Sequence, residues 1–255
     1  MNLFSRIWNS SLGKKYIMAA TGCALFLFVV GHLLGNLQIF LGWEAINRYG
    51  SFLQSTGELL WVVRIGLLIL VVLHIISAVR LTAENRAARG QGYVAYKAVG
   101  SSYASRTMMM SGLIIAAFII YHLLHFTVQA SGINFTGKDF HDLTDAKGRH
   151  DVFAMMVLGF ERPLVSLFYI VAMALLSLHL SHGVSSMFQS MGWKKGYYKP
   201  LLDNGARVLA IAIFVGYVSI PIAVLLGFGR DYVRDTTRPG PIEMNAPGAN
   251  EGGLR

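Results

Sequence analysis

Imidazoles are the side chains in this sequence best equipped for chemistry. Eight histidines are present, and six of them, His32, His74, His122, His125, His179 and His182, lie in runs too apolar to meet water. An ionisable side chain at membrane depth is costly and is usually functional. Imidazole is also the commonest protein ligand for a metal. Sulfur offers nothing comparable. Cys23 is the one cysteine, which excludes an intrachain disulfide and a four-cysteine cluster, and there is no C-x-x-C-H for covalent haem attachment. A lone histidine in an apolar helix is more often a satisfied core residue than a ligand, so the spacing of the six decides what they mean.

The elements that must position them read as membrane helices. Hydrophobic residues make up 54% of the chain and charged residues 14%, whereas soluble domains are nearer one quarter charged. Five runs, at 16–41, 59–80, 107–130, 163–187 and 207–228, have the length of a bilayer crossing, for which about 20 apolar residues suffice. Helices satisfy every backbone polar group within the segment. The expected fold is therefore an all-α integral membrane protein with five transmembrane helices. One domain covers 1–229, and a Pro/Gly-rich stretch, 230–255, is expected to be an irregular tail. The first run is too long for a signal-peptide core.

Charge orients the chain. The net charge is +9, but its distribution does not describe a nucleic-acid face. Residues 1–15 and the loops after the second and fourth runs hold twelve Lys/Arg and two acids, while the opposite side holds ten Lys/Arg and eleven acids. Basic short loops stay cytoplasmic, which places the N-terminus inside and the C-terminus outside. The basic inner faces serve either as topology signals or as contacts for lipid headgroups or a cytoplasmic partner.

Depth then sorts the histidines. His32 lies 17 residues beyond Lys15 and His122 lies 16 beyond Arg106, both on outward-running helices. His74 lies 16 residues beyond Glu58 and His179 lies 17 beyond Arg162, both on inward-running helices. Each is roughly 24–26 Å from its own starting edge by helix rise. In a core of about 30 Å, His32 and His122 form an outer layer, and His74 and His179 form an inner one. The vertical gap is on the order of 15–20 Å. Two bis-histidine b haems, stacked within a bundle of the first four helices, fit that pattern. His125 and His182 follow His122 and His179 by one helical turn. They are alternatives as ligands, contacts for a haem propionate, or packing residues.

The remaining candidates are weaker. Gly22 reads as helix packing, and Gly31, beside His32, reads as packing or a close approach to a flat cofactor. Arg64 and Arg162, at the outer ends of the second and fourth helices, are candidates for propionate contacts, with snorkelling to lipid phosphate as the bland alternative for Arg162. Glu58, with Gln54, Ser55, Trp61, His125 and Gln129, marks an outer quinone site, where Glu58 exchanges protons. Ser10, Lys14 and Arg106 mark a competing inner one. His141 and His150 read as members of a solvated outer loop, 131–162, in which 151–160 is a short helix over the bundle mouth. Pro163 suits a helix first turn, and Pro221 is expected to kink the fifth helix.

Four stretches resemble a known family. GHLLGNL at 31–37, LHIISAVRL at 73–81, GLIIAAFIIYHLLHF at 112–126 and LHLSHGVSSMFQSMG at 178–192 are similar, in that order, to the ligand motifs of a cytochrome b subunit. The family is the single-chain, five-helix, dihaem membrane anchor of succinate:quinone oxidoreductases, and the likeness covers about residues 10–228. It implies His32 and His122 on a distal haem, and His74 and His179 on a proximal one. It also implies flavoprotein and iron–sulfur subunits on the cytoplasmic face, a quinone (menaquinone is expected) as electron acceptor, and residence in the cytoplasmic membrane. Some fumarate-reducing members carry a glutamate two residues before the fourth ligand. Ser177 stands there instead, and this favours succinate oxidation. The rival readings are the dihaem anchor of a fumarate reductase, formate dehydrogenase, hydrogenase or nitrate reductase, and a transporter or scaffold without haem.

Overall fold

A computed structural model describes residues 8, 10–88 and 103–236. The loop glycines Gly90 and Gly92, several of the basic inner residues and the tail beyond 236 lie outside them. Helix α1 is Ser11–Asn36, followed by a 3-10 turn, Leu37–Leu41, then α2, Trp43–Ser55, and α3, Glu58–Ala87. Helix α4, Tyr103–His122, passes into a π-helical turn, Leu123–Thr127. Helix α5 is Val152–Phe160, α6 is Pro163–Ser190, α7 is Tyr198–Leu225 and α8 is Arg230–Thr236. There is no strand among the described residues.

Five stretches are long and apolar enough to cross a membrane: Ser11–Leu41, Glu58–Ala87, Arg106–Thr127, Pro163–Ser190 and Tyr198–Leu225. This is the pattern of a multi-pass membrane protein. Helix α1 begins before Lys14, because the Ser10 side chain caps it by accepting from the Gly13 N–H at 2.9 Å. Pro163 opens α6 as expected. Helix α7 runs through Pro221 without a break. It also starts nine residues earlier than the apolar run, so Asp203 is helical, and Lys194 pairs with it at 2.5 Å. Lys14 is buried and pairs with Glu84 at 2.8 Å, tying α1 to α3. Part of the positive charge at this end of the bundle is thus consumed within the fold.

Three expectations are corrected, all at the opposite end of the bundle. The stretch 42–57, which the sequence presents only as a short outer loop between the first two runs, carries α2. The connection 131–162 is not a solvated loop, because Phe140, Asn134, Asp145 and Asp151 are buried. Residues 230–236 are helical rather than irregular, and Val233 is buried.

A polar clasp explains why this end is ordered. Asn47 on α2 donates to Asp145 at 3.2 Å and Asp151 at 3.0 Å, and accepts from the Phe153 N–H at 2.9 Å. Tyr232 on α8 donates to Asp151 at 2.8 Å. Arg149 pairs with both Asp145 and Glu44. Asp151 also caps α5 through the Ala154 N–H. Buried carboxylates need such donors. Burial alone would raise the Asp145 pKa, but hydrogen bonds from Arg149, the Lys147 N–H and Asn47 outweigh it and hold the carboxyl below its ordinary value. Helix α5 is the apolar partner of the clasp: Phe153 through Phe160 are all buried, plugging the bundle mouth between α6, α7 and α8.

Candidate functional site

The histidines meet in two pairs. His74 on α3 faces His179 on α6 with ring centroids 6.4 Å apart and planes at 63°. His32 on α1 faces His122 on α4 at 5.8 Å and 80°. A metal held between two imidazole nitrogens at about 2.0–2.1 Å each sets ring centroids roughly 6.3 Å apart. The His74/His179 spacing fits that value, and the His32/His122 spacing needs an opening of about half an ångström.

The depth of each pair follows from its glycine neighbours. A Cβ on Gly22 would lie 3.2 Å from the His74 ring, and one on Gly112 would lie 3.4 Å from the His179 ring. Gly22 precedes His32 by ten residues and Gly112 precedes His122 by ten. Ten residues of helix rise about 15 Å. The pairs therefore form two layers, with the same spacing on both supporting helices. At Gly31 a Cβ would meet nothing within 4 Å, so helix packing does not require a glycine there.

Hydroxyls set the ring orientation. The Thr21 hydroxyl donates to the Ile17 carbonyl at 2.7 Å, so its oxygen is left to accept from His74 Nδ1–H at 3.2 Å. Ser111 donates to the Met108 carbonyl at 3.1 Å and stands 3.5 Å from His179 Nδ1. In that tautomer Nε2 keeps its lone pair, the state a metal ligand needs. Phe28 stacks on His32 and Phe118 stacks on His122, at 5.3 and 5.9 Å. The first and third runs thus share Ser/Thr-Gly-x5-Phe-x3-His-Leu-Leu, at 21–34 and 111–124. Aligning the two runs on their histidines is the sequence signal for this repeat and for both hydroxyls.

The second histidine of each run takes another role. His125 is fully buried, and its Nδ1 lies 3.0 Å from the Tyr169 hydroxyl, which is also 3.4 Å from His122 Nδ1. Tyr169 therefore links His122 to His125, donating to one and accepting from the other. His125 Nε2 and Gln129 Oε1 are buried without a hydrogen-bond partner among the described residues. Gln129 has a positive φ of 56°, and its amide donates to His150 Nε2 at 3.1 Å. Backbone irregularity of this kind, after a π-helical turn, concentrates at functional sites. His141 is held by the Val128 carbonyl at 3.1 Å. His182 Nε2 is hydrogen-bonded to the Ser186 hydroxyl at 2.9 Å on α6 itself.

The remaining candidates are peripheral to the pairs. Glu58 begins α3 and is exposed. Arg64 is exposed, with its guanidinium 5.2 Å over the Trp61 ring. Arg162 reaches the Thr136 carbonyl at 3.4 Å. Ser177 donates to the Ala210 carbonyl at 3.0 Å, so that position serves α6–α7 packing. Among the described residues, no group of three or more His, Cys, Asp or Glu could hold a metal ion, so any iron would rest on a facing pair. No family model, curated protein or solved structure matches this chain.

Proposed function

We propose that this chain is the membrane-anchor cytochrome b of a succinate dehydrogenase complex. In this reading it holds two b haems and reduces a membrane quinone with electrons from an iron–sulfur subunit. The observation that carries the reading is the pair of facing histidines in each of two layers, with Nδ1 anchored in the inner pair and Nε2 free. The motif resemblance supplies the choice among dihaem complexes. The flavoprotein and iron–sulfur subunits dock on the cytoplasmic face, the N-terminus lies on that side, and the complex sits in the cytoplasmic membrane.

Haem iron supplies one-electron carriage, which neither apolar side chains nor bulk lipid offer. The chain's own residues do the rest. His74 and His179 present Nε2 to the inner site, and Thr21 and Ser111 hold those rings. His32 and His122 present theirs to the outer site, where Phe28, Phe118 and Tyr169 wall the rings from water. The plug α5 and its clasp close the outer mouth. Glu58, exposed at the start of α3, is the proton-exchanging group for a quinone bound there.

The test pairs substitutions with spectra. His74→Ala and His179→Ala each remove the same haem, and His32→Ala and His122→Ala each remove the other, with two haems per wild-type chain by pyridine haemochrome. The opposite grouping, or no haem absorbance in a fully loaded preparation, rejects the reading. Co-purified subunits with succinate-to-quinone activity separate it from the other dihaem complexes.

A further inference from the structure

Four cationic side chains converge on one cavity at the plugged end of the bundle. The cavity has a volume of ≈ 330 Å³, and Lys138, Arg162, Arg230 and Arg234 line it with a single carboxylate, Glu161. The convergence is unusual for its surroundings, because this side of the chain has as many acids as bases. In the clasp of the same end, by contrast, Arg149 and Lys147 pair with Glu44 at 2.9 Å each. Around the cavity the pairing is loose. Arg230 lies 3.6 Å from Glu161 and Arg234 lies 4.0 Å from Asp231, with all four groups substantially exposed. Lys138 and Arg162 have no carboxylate within 4.0 Å among the described residues. Helix α6 opens beside them, and its N-cap residue, Arg162, makes no side-chain cap, so the positive end of the helix dipole adds to the field.

We propose that this cavity binds a phosphate group, as presented by an anionic phospholipid headgroup or by free phosphate. Guanidinium forks match phosphate oxygens in geometry as well as charge. Position favours the lipid. Leu164, 81% exposed, lies two residues from Arg162 on the membrane-length helix α6, and Leu226, 83% exposed, lies four residues from Arg230 at the C-terminal end of α7. A headgroup in the cavity would leave its acyl chains along such side chains. The inference does not depend on what the histidine pairs hold.

The test uses the full chain, with any subunits that co-purify, in phosphatidylcholine nanodiscs titrated with phosphatidylglycerol. Retained phosphatidylglycerol is counted by native mass spectrometry. Arg162→Gln and Arg230→Gln are each expected to weaken retention about fivefold, and the double variant about twenty-five-fold. Arg48→Gln, at an exposed position on α2 of the same end, leaves retention unchanged. Inorganic phosphate is then added to pure phosphatidylcholine nanodiscs. Stabilisation that depends on Arg162 and Arg230 in this arm identifies free phosphate as the ligand, and the phosphate site stands. Equal retention in wild type and double variant, with no phosphate effect, overturns the proposal. Circular dichroism checks folding. Should the double variant lose helicity, Lys138→Gln decides: a loss of about fivefold supports the site, and unchanged retention overturns it.

Discussion

Thr21→Val isolates the hydroxyl that orients His74. The change keeps the side chain's shape and removes its oxygen, which lies 3.2 Å from Nδ1. Without the Thr21 hydroxyl the ring keeps its hydrogen bond to the Met18 backbone and its contact with Gly22, where a Cβ would stand 3.2 Å away. Hydrogen-bond partners of a metal-bound histidine are worth roughly 10–100-fold in affinity, so Thr21→Val is expected to weaken haem binding at the His74/His179 pair within that range. Ser111→Ala acts on the same pair across 3.5 Å, the outer limit of a hydrogen bond, and its effect is at the lower end, about tenfold. The His32/His122 site lies about 15 Å away by helix rise and keeps its haem in both variants. Haem content through repeated detergent exchange, with potentiometric titration to separate the two haems, reads the outcome. Simultaneous loss of both haems, or selective loss of the one that His32→Ala removes, refutes the assignment of Thr21. An unchanged haem content and potential in both variants refutes the orienting role.

The clasp and the proposed quinone site give three further expectations. Asn47→Ala removes two donations to carboxylates and leaves the Phe153 N–H without its acceptor. It is expected to cost about 3 kcal/mol in equilibrium unfolding, and a cost below about 1 kcal/mol rejects the clasp as a determinant of stability. The Asp145 carboxyl is held below its ordinary 3.8, so its contribution is complete above that pH. It declines as pH falls from there through the folded value, because the unfolded chain takes up the proton first. Acid unfolding of Asp145→Asn should show a flatter decline in that window than the wild type. Glu58→Gln in the assembled complex should keep both haems and succinate oxidation by an artificial acceptor while losing succinate-to-quinone turnover, and full quinone turnover removes Glu58 from the mechanism.

The sequence by itself determined the five spans, because a bilayer demands some twenty apolar residues per helix and tolerates few charges among them. It also determined which histidines share a depth. Helix rise is constant, so counting from Lys15, Glu58, Arg106 and Arg162 places His32 level with His122, and His74 level with His179, before any packing is known. Tertiary structure alone decided that these rings face one another, since azimuth around a helix and the choice of neighbour depend on packing. It decided that Thr21 and Ser111 hold the His74/His179 pair, and that His125 turns away to Tyr169 through the π-helical turn. The cap built from α2, α5 and α8 was the least legible part. Asn47, Asp145, Asp151 and Tyr232 are separated by up to 185 residues along the chain. Their polar character reads as solvated loop in one dimension, and only their mutual contacts turn four surface-like residues into a buried clasp.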